Sequence, residues 1–577
     1  MKKLSLIIVL IALYSCNSST SKQFEFAGGS VKMCLENEPF TYISYEVQDV
    51  NASTILSQVM QGLVSLDVEN SKIIPQIAKS WKISDDGLTY SFILRDDIYF
   101  HEHELFSSKS DRLLTATDVV ATVEKICTKT DMNEATNAYD LIFKNQLKGA
   151  EDFYSGKARS ISGLTSENDK ITITLENKDD NFLYKLASIQ MAILPKKLID
   201  KDLLNDVIGT GPFRFSTIES EEISRIILVK NEDYYEQDEN GCALPYIDSL
   251  EFFVQNRKLE QLDMFENNKV DLILGLPTSR ITKMLEGRIE DFNSTPPKLL
   301  LFKNPQLVTN YYFFNMSDPR FEDPRVRQAF NYAIDRDKIG REVLRNQYDE
   351  LGYYGIVPPI QKDFRGYDFK NVKSSGYTFD PAKAKKLLAE AGYPKGEGFG
   401  SITLRFNIGD INSAVADEFA QQIFQTLGIN VNIDGSTFEQ LNEDATAGRG
   451  DVFRTAWAAD YPNPETFLNN FYGKHIPKGE TVLSTINQSK YMNPKFDQLF
   501  EQAKRADNIV DKMNLFSKAE IELLKNPPII PLWYNGDMQI VYSYIRNLQF
   551  NSLGTLNFKK VYIKEWTAEE YQNNLNK

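Results

Sequence analysis

The sequence predicts an α/β protein built from more than one domain, on three observations. Its 577 residues exceed what a single hydrophobic core supports, so two or three domains are expected. Strand and helix patterns alternate along the chain. The clearest case is a strand around Leu404, a helix over residues 415–427 and a strand over residues 429–433, a βαβ-like order. Hydrophobic content of 42% with 25% charged residues is ordinary for a water-soluble folded chain.

The chain opens on a targeting pattern. Lys2-Lys3 supplies a positive start and residues 4–13 a short apolar run. That run is too short to span a bilayer, which takes ~20 residues. It ends in Leu13-Tyr14-Ser15-Cys16, which resembles a bacterial lipobox with Cys16 as the lipidated first residue of the mature protein. Residues 1–15 are then a lipoprotein signal peptide and the polar residues 16–23 a flexible tether. Beyond the anchor Cys34, Cys127 and Cys242 remain. An odd number allows at most one disulfide, their spacing matches no metal motif, and buried free thiols are expected.

The next segments read as strands and helices in turn. Residues 24–66 give a short strand, then Asn37-Glu-Pro-Phe-Thr41, then a helical stretch through Ile55, Val59 and Leu63. Leu88, Tyr90, Phe92 and Leu94 alternate with polar residues, a half-buried strand. Ile171, Ile173 and Leu175 mark another. His101-Glu-His-Glu104 invites a metal reading, because two His in alternation share a strand face. Only one other histidine exists, His475, and no third ligand is apparent.

Gly209-Thr-Gly-Pro-Phe-Arg-Phe215 reads as a tight turn into a strand. A phosphate-cradling loop is the alternative, but the Lys-Ser/Thr of a P-loop is missing and no helix follows. Strands are expected at residues 246–253, leading toward the next lobe, and at 271–275. Asp323-Pro324 and Asp380-Pro381 are helix starts, an N-cap followed by proline in the first turn. Helices over residues 493–500 and 511–524, a buried strand over 527–534 and a last strand over 556–563 complete the pass.

The stretch with most chemical content is Asp451-Val-Phe-Arg-Thr-Ala-Trp-Ala-Ala-Asp-Tyr-Pro-Asn-Pro-Glu-Thr-Phe-Leu468. It begins as a strand and breaks at two prolines. Alternation sets Val452, Arg454, Ala456, Ala458 and Asp460 on one face. A cation and a carboxylate look the same way, ~20 Å of extended backbone apart, with small alanines between. A zwitterionic peptide of three to five residues spans ~10–17 Å at strand rise, and flexible side chains would close the difference. An ordinary strand with two solvated charges fits the same pattern.

Trp457-Ala-Ala-Asp-Tyr-Pro-Asn-Pro-Glu-Thr-Phe-Leu468 resembles the signature of the extracellular solute-binding proteins, family 5, the peptide and oligopeptide receptors of ABC importers. Pro75-Gln-Ile-Ala-Lys-Ser-Trp81, Gly209-Thr-Gly-Pro212 and Asp323-Pro-Arg-Val-Arg-Gln-Ala-Phe330 extend the likeness over nearly the whole chain. It implies a two-lobed periplasmic-binding-protein-like fold of type II with an extra inserted domain. Lobe I would take residues 24–63, 183–262 and 536–577, the inserted domain 64–182, and lobe II 263–535. It further implies that Asp460 pairs with the ligand's α-ammonium, Arg454 with its carboxylate, and that Trp457 lines a side-chain pocket.

The expected activity is capture, with no catalysis. The chain has three His and contains no Gly-x-Ser-x-Gly, His-Glu-x-x-His or P-loop motif. ATP hydrolysis would belong to separate ATPase subunits acting with a permease. A net charge of −15 argues against nucleic acid. The resemblance implies a monomer without cofactor or bound metal, lipid-anchored on the periplasmic or cell-surface side of a bacterial membrane. A non-peptide ligand (a metal complex, haem or a sugar), a peptide sensor without transport, and an enzyme working through carboxylates alone are the alternatives.

Overall fold

Two long antiparallel strands, Leu299–Phe314 and Ile529–Tyr542, carry the chain between the two halves of the molecule. The computed structural model describes residues 22–69, 71–130, 135–220, 224–276, 280–459, 461–477, 483–506 and 508–575. The anchor residue Cys16 and the site residue Asp460 lie outside them.

The crossing strands sit in the middle of an 11-stranded mixed sheet. On one side they continue into Val452–Ala458, Ile402–Asn407 and Val431–Ser436. On the other they continue into Leu272–Leu274, Ser30–Leu35, Ser249–Val254 and the hairpin Phe213–Ser220/Ser224–Lys230. Separate cores form on the two sides. Tyr311, Phe313 and Ile529 belong to one side, and Leu299, Ile540 and Tyr542 to the other. The result is a two-lobed α/β architecture joined by one ribbon. The pairing of that ribbon slips between Pro305 and Thr309, where residues 306–308 bulge opposite the Tyr534–Gly536 segment.

Packing moves one expected boundary. A division at residue 263 cuts the helix Lys258–Glu266, whose Leu262 and Phe265 pack with Cys34 and Ile273 in lobe I. Leu272 pairs with both Met33 and Val541. The described residues among 263–299 therefore pack with lobe I, and the chain crosses at the bulge. The strand Ser249–Val254 is likewise internal to lobe I, parallel to Ser30–Leu35, and does not lead out of it. The expected strand over residues 556–563 reduces to two short pieces, Leu556–Asn557 and Tyr562–Ile563. The four-stranded sheet of the inserted region, Ala78–Ile83 through Lys170–Thr174, shares its core with lobe I, since Phe92, Ile171 and Phe252 lie in one buried cluster.

Local signals formed what their chemistry dictates. Asp323 accepts from the Arg325 N–H at 2.8 Å, and Asp380 from the Lys383 N–H at 2.9 Å, each ahead of a proline in the first turn. The helix after Asp323 ends at Ala333. Cys34, Cys127 and Cys242 are buried and unpaired.

The His101–Glu104 segment is not a strand, so its two histidines share no face. His101 is buried, with Nε2 3.0 Å from the Gly211 carbonyl, and the Gly209 N–H donates to its Nδ1 at 3.3 Å. That pattern requires the neutral Nε2–H tautomer. His103 instead points toward Asp206, 3.6 Å away. Among the described residues no group of three or more His, Cys, Asp or Glu is placed to hold a metal.

Burial pushes the His101 pKa down to about 4 from 6.5, only partly opposed by the hydrogen bond to Gly211. Between pH 6.5 and about 4 the unfolded chain binds a proton that the folded chain refuses. The stabilising contribution is then complete above the unfolded value and lost as pH falls through that window. His101→Gln, which cannot titrate, should flatten the fall in melting temperature across it. Parallel curves for variant and wild type would contradict this assignment.

Candidate functional site

The strand Val452–Ala458 lies within the lobe II part of the sheet, between Leu299–Phe314 and Ile402–Asn407. On one side it pairs along its whole length with residues 308–314. On the other it pairs with Ile402–Asn407 only through Val452 and Phe453. From Arg454 onward that edge has no strand partner among the described residues. The alanines expected to leave room do so, because Ala456 and Ala458 are exposed. An unpaired edge with small side chains can take an extended chain as an added strand.

Arg454 is half-buried beside that edge. Its Nη1 donates to Asn407 Oδ1 at 3.0 Å and its Nη2 to Asn310 Oδ1 at 2.8 Å. Both acceptors are neutral. Burial lowers its pKa below the usual arginine range, although no partial loss of charge follows for a group that basic. Among the described residues no carboxylate stands within ion-pair distance. A cation so placed still has N–H groups to offer an anion.

Trp457, three residues on, turns to the opposite face. Its Nε1 donates to Thr466 Oγ1 at 3.3 Å, tying the strand to the helix that follows the proline turn. Arg454 and Trp457 nonetheless share the lining of one small cavity of about 140 Å³, together with Tyr311, Phe471 and Ile486. The structure thus brings together two of the three residues singled out from sequence.

A larger cavity of about 520 Å³ opens at the other end of the strand. Ala459, Tyr461 and Pro462, the described residues nearest Asp460 in the chain, line one wall. Gln58, Gln61 and Gln190 contribute polar groups from the facing side. The two halves also touch one another directly, and Tyr184 and Tyr461 of that contact line the cavity. Asn463 donates to Asn181 at 2.8 Å, Asn181 donates to Glu465 at 2.6 Å, Lys512 pairs with Asp180, and the rings of Tyr184 and Tyr461 stack at 6.3 Å. No His or Cys lines the cavity among the described residues.

Sequence reasoning missed the partners of Arg454 and the polar glutamines across the cleft. The partners, Asn407 and Asn310, carry no local signal, since they lie 47 and 144 residues from Arg454 in the chain.

Comparison with known proteins gives a consistent result. The model of Bacterial extracellular solute-binding proteins, family 5 Middle, matches residues 72–478. The probable di/tripeptide-binding protein 5 of Pseudomonas aeruginosa is 25% identical, with 93% of this chain and 96% of that protein covered. The heme-binding protein A of Haemophilus influenzae is 26% identical, covering 92% and 93%. Among solved structures, the periplasmic binding protein DppA of Helicobacter pylori in complex with the peptide STSA superposes with a TM-score of 0.73. It is 23% identical, and 93% of this chain and 99% of that one are covered.

Proposed function

The chain belongs to the bacterial extracellular solute-binding proteins, family 5, and from that premise we propose that it captures short peptides between its lobes for an ABC importer. The observation that carries this reading is Arg454, a half-buried guanidinium held by two neutral oxygens beside an unpaired strand edge. A peptide lying along that edge presents its carboxylate to Arg454. Its α-ammonium meets Asp460, whose neighbours in the chain, Ala459 and Tyr461, line the larger cavity. The relative named as a di/tripeptide-binding protein supports the ligand class.

The site reading is tested with a tripeptide and its C-terminal amide. Arg454→Gln should weaken the free acid on the order of tenfold or more, as expected when one charge-assisted hydrogen bond is removed, and leave the amide nearly unchanged. Equal weakening of both would move the carboxylate partner elsewhere.

The relative named heme-binding protein A makes haem the second reading. Haem iron takes His, Cys, Met or Tyr as an axial ligand, and the described lining of the larger cavity includes Met60, Tyr184, Tyr234 and Tyr461. The peptide reading is preferred on Arg454 and the unpaired edge beside it.

Lipid attachment at Cys16 keeps the receptor at the membrane, and a separate permease with its ATPase receives the peptide. No helix among the described residues is long and apolar enough to cross a membrane. Cys16→Ser should move the protein from the membrane pellet to the soluble fraction with tripeptide binding intact. A variant that stayed in the pellet would overturn the anchor.

A further inference from the structure

Between the lobes, the crossing strands carry a line of amides that starts at Arg454. Arg454 Nη2 donates to Asn310 Oδ1 at 2.8 Å. Asn310 Nδ2 donates to Asn535 Oδ1 at 2.7 Å. Asn535 Nδ2 donates to Gln306 Oε1 at 3.5 Å. Gln306 Nε2 donates to Asp537 Oδ2 at 2.5 Å. Every link runs in the same direction, from a cation in lobe II to a carboxylate at the crossing.

The two ends impose that direction. A guanidinium has only donors, so the first amide must turn its oxygen toward it. An ionised carboxylate has only acceptors, so the last amide must turn its NH₂ toward it. Each amide between them has one group of each kind, and flipping any one would set donor against donor and acceptor against acceptor. Trp533 Nε1 adds a second donor to Asn535 Oδ1 at 3.2 Å and fixes the middle of the line. Burial raises the Asp537 pKa and Glu36 adds to the rise, while Lys258 of lobe I (itself paired with Glu36 at 2.6 Å) and the hydrogen bond from Gln306 oppose it. The line crosses the ribbon at its bulge, where strand pairing alone gives the least support.

We propose that Asn310, Asn535, Gln306 and Asp537 are positioning residues for Arg454. They form a polarised hydrogen-bond relay that aims its guanidinium at the ligand's anionic end. The proposal rests on the reading of Arg454 as the carboxylate partner. Hydrogen bonds in one direction polarise and strengthen one another in a low-dielectric setting. The charge of Arg454 is then balanced at a distance by Asp537, without an adjacent carboxylate occupying the N–H groups that the ligand needs. Residues that never touch the peptide would in this way set the preference for a free C-terminus.

Calorimetry on the full-length protein with a tripeptide and its C-terminal amide provides the test, using wild type, Arg454→Gln and Gln306→Met. Gln306→Met keeps the side-chain length and removes both amide groups. It should weaken the free acid on the order of tenfold and the amide by less than about twofold. If Arg454→Gln levels the two ligands while Gln306→Met keeps the wild-type preference, the relay is overturned and the carboxylate reading stands. If Arg454→Gln leaves the preference intact, the carboxylate reading falls, and with it the relay's proposed purpose. The relay itself is also read without ligand, from the melting temperatures of Gln306→Met, Asn310→Ala and the double variant. Members of one network are non-additive, so the second cut should cost clearly less than the same cut made alone. Additive effects would overturn the relay.

Discussion

Asp460→Ala is expected to weaken binding of an unblocked tripeptide by roughly 30-fold to several-thousand-fold. That range corresponds to the ~2–5 kcal/mol cost of removing one partner of a buried charge pair, much of it from the stranded charge. The motivation is the Trp457–Leu468 motif together with the cavity lined by Ala459, Tyr461 and Pro462 on either side of that position. N-acetylation removes the ammonium from the ligand, so acetylated peptide should bind wild type poorly and lose little more in the variant. Calorimetry on the four combinations separates this from a merely structural role. If Asp460 only capped the turn into Pro462, the ligand-free variant would melt earlier and acetylation would act independently of the mutation. Independent effects would sink the ammonium assignment.

Gly209→Ala is expected to cost about 3 kcal/mol or more of stability, at or above the upper end of ordinary overpacking. A Cβ at Gly209 would stand 2.0 Å from the Val59 carbonyl oxygen and 2.9 Å from Met60 Cα. Those are backbone atoms at the end of the helix Val50–Val59, which cannot swing aside as a flexible side chain would. Gly211 is pinned in the same way, 2.6 Å from the Gln58 carbonyl. The turn also seats His101 and leads into Pro212 on the cavity wall. The control is Gly287→Ala, where the added carbon meets nothing within 4 Å and alanine's helix propensity makes it neutral or slightly stabilising. Denaturant unfolding of both variants checks the contrast. A Gly209→Ala protein as stable as wild type would mean that this close approach carries no weight.

Local chemistry was what the sequence made legible. An Asp before a Pro caps a helix through atoms two or three residues away, so the helices after Asp323 and Asp380 could be placed without knowing the fold. The Gly209–Pro212 turn was recognisable for the same reason, although its true constraint, the close approach to Val59, lies 150 positions upstream. Lobe membership was not legible. Leu272–Leu274 belongs with lobe I because it pairs with Met33 and Val541, and pairing across such separations leaves no mark on three apolar residues. Within the site, Arg454 stood out by residue type and spacing. Its partners did not, since Asn407 and Asn310 lie 47 and 144 residues away and look ordinary where they stand. The motif resemblance supplied what spacing alone could not, a reason to propose a pair of ligand contacts over two solvated charges.

The central claim, that a peptide lies between the lobes, is tested most directly by native mass spectrometry of the protein released from membranes and purified without refolding. Capture of short peptides predicts adducts that fragment into amino-acid residues and that are displaced by an added tripeptide but not by its N-acetylated C-terminal amide. An adduct with the mass of haem or a sugar, retained when free tripeptide is in excess, would contradict it.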